Sequence, residues 1–320
     1  MNIRYDTFDK RFLSILPAQS TLETVAGGFR FVEGPVWHPY DRYLLFSDIM
    51  GNGLYRWSRL RGLTLFRENS YLTNGNTLDR EGRLLSCEHG TSRVSRTNLD
   101  GSYEVLVSAY NKKGLNSPND IAVKSDGAVY FTDPNPGRRG RVGIPREQEL
   151  DFQGVYRFEP NPGSGTLILL ADDFSLPNGL CFSSDERFLY VNDSDRSHIR
   201  VFDVKEDGTA ETGRVWAELK VQTGKVAAGD SADTASTSAH AASLPGVADG
   251  MKIDSAGNLF CSGPGGIWVF SSEADLLGII YTPEVTANFT WGDDDLCSLY
   301  ITATTSVYRL RVNVPGKAIF

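Results

Sequence analysis

One short pattern is written six times along this chain, and a chain that repeats a unit of this size has few folds open to it. The copies are anchored on apolar runs: LLFSD at Leu44, LLSCE at Leu84, VYFTD at Val129, LYVND at Leu189, LFCSG at Leu259 and LYITA at Leu299. Each run is β-branched or aromatic in part and bounded by turn residues, the signature of a strand. Polar turns such as DREG, KSDG and SSDER precede the runs, and third strands such as LYRW, VYRF, IRVFDV and VYRLRV follow them. The unit is therefore a β-meander. Successive anchors lie 40, 45, 60, 70 and 40 residues apart, where a four-stranded propeller blade takes roughly 40 to 50. The two overlong intervals hold insertions, one over 134–153 beginning PNPGRRGRVGIP and one over 221–244 reading VQTGKVAAGDSADTASTSAHAASL. The second is low in complexity and in apolar content, which predicts a surface excursion rather than a linker between domains. The expected fold is all-β: one six-bladed β-propeller domain over 1–320, built of four-stranded antiparallel blades.

The head of each copy carries the chemistry. Ten or eleven residues before the anchors stand Glu33, Asn74, Asn119, Asn178 and Asp249, in the settings EGP, NGN, PND, PNG and DGM. Any one Asn-Gly or Asp-Gly is an ordinary turn dipeptide. Five blades in one phase, restricted to Glu, Asp and Asn, are not explained by turn chemistry. First strands line a propeller's channel, so these five side chains are expected to face one another. Convergent oxygen donors suit a hard divalent cation, and the two carboxylates, Glu33 and Asp249, would neutralise it. Without a cation, two buried acids would repel and one would have to hold a proton. The sixth copy, FTWGDDD, offers Trp291, for which a wall of the mouth and a place in the core are both open. The ends of the second strands, at Asp48, Glu88, His89, Asp133 and Asp193, are expected to rim the same mouth. Turn capping is the expected role of the acids; His89 is a candidate for hydrogen bonding to substrate.

Bulk properties exclude other classes. A net charge of −8 argues against a nucleic-acid surface, which needs a basic patch. No stretch approaches the roughly 18 apolar residues of a membrane span, and the first residues lack an apolar signal core. The four cysteines are widely spaced without a CxxC pair, which predicts buried free thiols and a cytoplasmic protein. No nucleophile elbow, phosphate loop or HExxH pair is present. A small-molecule substrate, with no nucleic acid, membrane or obligate protein partner, is the expectation.

The segments EGPVWHP, GRLLSCEHGTSRVSRTNLDG, NSPNDIAVKSDGAVYFTDP, LPNGLCFSSDERFLYVND and DGMKIDSAGNLF together resemble the gluconolactonase, regucalcin and luciferin-regenerating-enzyme family of six-bladed propellers. EHG with NSPND is similar to its microbial gluconolactonase branch. The resemblance implies a metal-dependent hydrolase that opens sugar lactones to aldonic acids. It implies a divalent cation on Glu33, Asn178 and Asp249, with Asn119 on or near it; Asn119, Asn74 and His89 are the residues expected, from their places at the channel and its mouth, to contact substrate. Calcium fits this oxygen set first, with magnesium, manganese and zinc also compatible. Asp249 is implied as general base, with Glu33 as the rival. Where animal members carry an arginine for the sugar, this chain has Ser117. Two alternatives stay open: hydrolysis of non-sugar lactones, esters or phosphotriesters at the same cation, and a propeller that only binds metal or a partner.

Overall fold

A computed structural model describes residues 1–17, 19–161, 164–220 and 243–318. Its regular structure is almost all strand, arranged as six antiparallel sheets in a ring. Blade one runs Val32–His38, Tyr43–Asp48, Gly53–Ser58 and Gly62–Glu68, from channel to rim. Blade two begins with Thr73–Leu78, blade three with Ile121–Val123, blade four with Pro177–Phe182 and blade five with Met251–Ile253. The anchors of the repeat are the second strands, as expected. No helix among the described residues is long and apolar enough to cross a membrane.

Two details depart from six identical four-stranded units. Blade five carries a fifth strand, Arg4–Thr7, on its outer edge against Leu276–Tyr281, which covers main-chain groups that an open edge would expose. Blade six takes Thr286–Gly292, Ser298–Ala303 and Ser306–Arg311 from the end of the chain, and its outer strand, Leu22–Gly27, from near the start. The ring is thus sealed by hydrogen bonds between distant segments.

Packing between neighbouring blades makes the core. Tyr130, Phe182, Val191 and Phe202 fuse blades three and four. Phe260, Ile267, Phe289, Ile301 and Leu310 fuse blades five and six, with Phe12 tucked beneath the N-terminal 3₁₀ turn. All four cysteines are free, and Cys87, Cys181 and Cys261 are buried in this packing.

The insertion at 134–153 folds against the ring. Its 3₁₀ turn, Pro136–Arg138, is anchored by Arg138, which donates from Nε to Asn116 O at 2.8 Å and from Nη2 to Leu115 O at 2.6 Å. Glu149 accepts from Gly114 N at 2.7 Å, and Leu150 is buried. Of the 221–244 insertion, residues 221–242 lie outside the described residues.

Candidate active site

The acids that close the second strands hold the loops leading into the channel. Asp48 accepts from Phe31 N at 2.9 Å and Gly51 N at 3.1 Å. Asp133 takes Asn116 N and Ser117 N, both at 2.8 Å, and Asp193 takes Ser175 N at 2.8 Å. Glu88 is fully enclosed by Thr91, Arg93, Ser95 and Tyr103. All four are caps and braces. Asp48, Asp133 and Asp193 fix the backbone just upstream of an inner strand, so each channel residue there enters at a set height, whereas Glu88 braces side chains of its own blade.

A second device ties the blades together at that height. The residue before each acid reaches across to the next blade's channel residue: Ser47 Oγ donates to Asn74 O at 2.7 Å, Thr132 Oγ1 to Asn178 O at 2.7 Å and Asn192 Nδ2 to Asp249 O at 2.5 Å. Ser262 Oγ likewise donates to Ala287 O at 2.8 Å. Backbones approach so closely here that a Cβ on Gly75 would lie 2.4 Å from Asn119 O, and one on Gly179 would lie 2.1 Å from Asp249 O. The glycine after each channel residue is therefore a requirement of close approach between blades, not of a turn. Blade three has Asp120 in that place.

Within this ring Glu33, Asn178 and Asp249 lie near one another, the Glu33 charge and the Asn178 amide both acting on the Asp249 carboxyl. Glu33 is 2% exposed and Asp249 is half-buried, open to the channel. Burial, followed by their mutual charge and that of Asp120, raises Asp249 well above the usual carboxylate range. Burial raises Glu33 too, against an opposing hydrogen bond from Gly34 N. Two such groups need a shared proton or a cation. Asn178 gives Nδ2 to Ser194 Oγ at 3.1 Å, while its Oδ1 is buried with no hydrogen-bond partner. A buried carbonyl oxygen left without a donor beside two acids is what a cation site offers. Among the described residues no three His, Cys, Asp or Glu side chains gather in metal-binding geometry, so a cation here depends on carboxamide oxygens. The donor set fits an oxygen-loving divalent ion.

Asn74 and Asn119 occupy the same ring, buried and joined through Gly75 N, which donates to Asn119 O at 2.8 Å. His89 is only 1% exposed, and both ring nitrogens are engaged: Nδ1 with Val142 O at 3.0 Å and Nε2 with Asn74 Nδ2 at 3.2 Å. Nδ1–H donates to the carbonyl, so Nε2 accepts from the amide. Burial lowers His89 to about 4, and it is neutral near pH 7. The expectation that His89 hydrogen-bonds substrate is corrected on this geometry: the ring orients Asn74, and the 134–153 insertion supplies the carbonyl that fixes its tautomer. Trp291 does not reach the mouth either. It is a core residue against Phe260 and Phe289, lining the far end of the channel.

Three participants were not singled out from sequence. Asp120 Oδ2 is buried without a hydrogen bond, 3.6 Å from Lys252 Nζ. Lys252 Nζ also lies 3.4 Å from Asn288 Oδ1. Asn288 is blade six's contribution, its amide acting to lower the Glu33 carboxyl. It stands 11 residues before Leu299, the spacing that Glu33 and Asn178 keep from their anchors, and it pairs with Thr302 as Glu33 pairs with Ser47. The same count of 11 back from Leu299 locates it in the sequence.

Six blades around a channel with an oxygen-donor site at one end define the propellers whose sites are assembled from strand heads. This chain belongs to the family described as SMP-30/Gluconolactonase/LRE-like region, whose pattern matches residues 31–305. It is 30% identical over 327 residues to a gluconolactonase of Zymomonas mobilis, covering 97% of this chain and 86% of that protein. It is 27% identical to the pentonolactonase XacC of Haloferax volcanii, over 85% of this chain and 81% of that one. The solved structure of a gluconolactonase from Xanthomonas campestris superposes with a TM-score of 0.82 at 31% identity, covering 98% of this chain and 95% of that chain.

Proposed function

We propose that this chain is a lactonase that opens sugar lactones to the corresponding hydroxy acids, using a divalent cation held by Glu33, Asn178 and Asp249 with Asn119 within reach. The observation that carries the reading is the pairing of buried Glu33 with half-buried Asp249 beside the unpartnered Oδ1 of Asn178, in a chain whose relatives include a gluconolactonase and a pentonolactonase. A cation there would supply Lewis acidity, polarising the lactone carbonyl and lowering the pKa of water. Calcium suits the oxygen donors first; magnesium, manganese and zinc remain compatible.

The chain's own groups do the positioning and the proton transfer. Asp249 has its backbone oxygen held by Asn192 and its carboxyl beside Glu33 and Asn178. It is the group placed to take a proton from the attacking water, with Glu33 as the alternative. The water oxygen bonds to the carbonyl carbon, and the ring C–O bond then breaks. The departing ring oxygen receives the proton, giving a hydroxy acid. Asn74, turned by His89, and Asn119 present amides to substrate hydroxyls at the wall of the same ring.

A pH-stat assay with D-glucono-1,5-lactone and a panel of five-carbon sugar lactones, before and after chelation, tests this reading. Acid release that falls on chelation and returns with a divalent ion is expected. Full activity after exhaustive chelation removes the cation from the mechanism, and no acid release from any lactone removes the reading.

A further inference from the structure

Blade three breaks the rule that a glycine follows the channel residue, and the side chain it admits has an answering charge. Asp120 stands where Gly75, Gly179 and Gly250 stand in their blades. Its Oδ1 accepts from Ile121 N at 3.0 Å, and its Oδ2 is buried, with Lys252 Nζ at 3.6 Å as its ionic partner. Lys252 comes from blade five, three residues after Asp249, and also points at Asn288 Oδ1, 3.4 Å away. The Asp120 charge is felt by both Glu33 and Asp249, and Lys252 opposes it at Glu33. Three carboxylates and one ammonium thus share the channel, two charges short of neutrality.

We propose that Lys252 and Asp120 form a charge-setting pair beneath the site that matches the channel to a doubly charged cation and discriminates against ions of higher charge. The inference rests on the cation reading given above. It concerns which ion is held, and neither residue is placed in contact with it. Removing the lysine leaves three uncompensated carboxylates, which favours a trivalent ion more than a divalent one, because the extra field acts on one more unit of charge. Removing the Asp120 charge does the reverse.

The test is binding of calcium and of lanthanum, measured by isothermal titration calorimetry on the full chain and on Lys252→Met, Asp120→Asn and the double variant. Thermal melting of each variant checks that it is folded. The lanthanum-to-calcium affinity ratio is expected to rise about 10-fold in Lys252→Met and to fall by about as much in Asp120→Asn. The double variant should return to near the starting ratio. Damage to packing would instead accumulate in the double variant without moving the ratio. A ratio unchanged in both folded single variants, or a double variant that does not restore it, overturns the pair's role while leaving the cation site standing. No cation binding by the unaltered chain overturns the cation reading and this inference with it.

Discussion

The two ends of the central channel are lined by the same six strands and differ in almost every chemical respect. At the heads stand Glu33, Asn74, Asn119, Asn178, Asp249 and Asn288, an acid or an amide in each of the six blades. A few residues further along, the same strands present Trp37, Ile121, Val123, Leu180, Phe182 and Trp291 around a cavity of about 170 Å³. Among the described residues, Glu186, Lys252 and Lys317 are the charged members of its lining. The difference separates two tasks along one strand. The apolar tails hold the ring together by burial, so the polar heads need contribute nothing to stability and can be arranged against it, with two acids facing each other. A site that is electrostatically unfavourable when empty is what an ion has to compensate.

Substitutions at the two ends should therefore separate activity from stability. The largest expected effect is at the polar end. Asp249→Asn keeps the oxygen and the shape but cannot take a proton, and at saturating cation it should lower kcat about 10² to 10⁴-fold, with Tm of the cation-free protein unchanged or raised. Asn178→Asp, which adds charge and no missing base, should change cation affinity and cost less rate. If Asp249→Asn turns over normally at saturating calcium, Glu33 takes its place as the base.

Next comes the apolar end. Trp291 packs on Phe260 with ring centroids 4.9 Å apart, and Trp291→Ala should cost about 3 to 5 kcal/mol of stability while calcium affinity of the folded fraction holds. Urea denaturation and calorimetric titration on one preparation read both quantities. A variant of unchanged stability that no longer binds the ion would show that the two ends are not independent.

The smallest effect is a pH dependence. Burial raises Glu33 to about 7, and Asp249 is raised with it. A carboxyl whose folded pKa lies above its unfolded value binds a proton more tightly when folded. Its stabilisation is present at acid pH, below the ordinary carboxylate range, and is lost as pH rises toward 7. In chelator, Tm should fall by a few degrees between pH 5 and 8; with saturating calcium, or in Glu33→Gln, the fall should shrink. A chelated protein that grows steadily more stable over that range would contradict the facing acids.

How much of this was legible in the sequence follows from the kind of contact involved. The blades and the ring of five heads are set by strand periodicity and phase, which a linear text carries, and the structure brings Glu33, Asn178 and Asp249 together where the phase put them. Asp48, Asp133 and Asp193 were readable as caps from the habit of aspartate at turns, although the backbone they hold, at Phe31, Asn116, Ser117 and Ser175, lies 16 to 18 residues upstream. The misses depend on geometry between blades. Asn288 is the exception, since it stands in phase, 11 residues before Leu299, and was as legible as the other heads. His89 turned inward because an insertion elsewhere provided Val142 O, and no spacing announces that. Lys252 and Asp120 are partners only because blades three and five look across the channel at each other.

The seal of blade six has a consequence for how the protein comes to work. Leu22–Gly27 zips onto Ser306–Arg311, so the ring is an open arc until two remote parts of the chain meet. Pairing of such high sequence separation is slow to form. Glu33 follows the first of those segments closely and Asp249 belongs to blade five, so the two acids become neighbours only when the arc becomes a circle. An open arc holds half a site. Any ion that needs both acids binds the closed circle alone and draws the chain toward it by mass action. Competence and completion are then the same event, and a chain cut anywhere in its sealing strands should lose the site along with the fold.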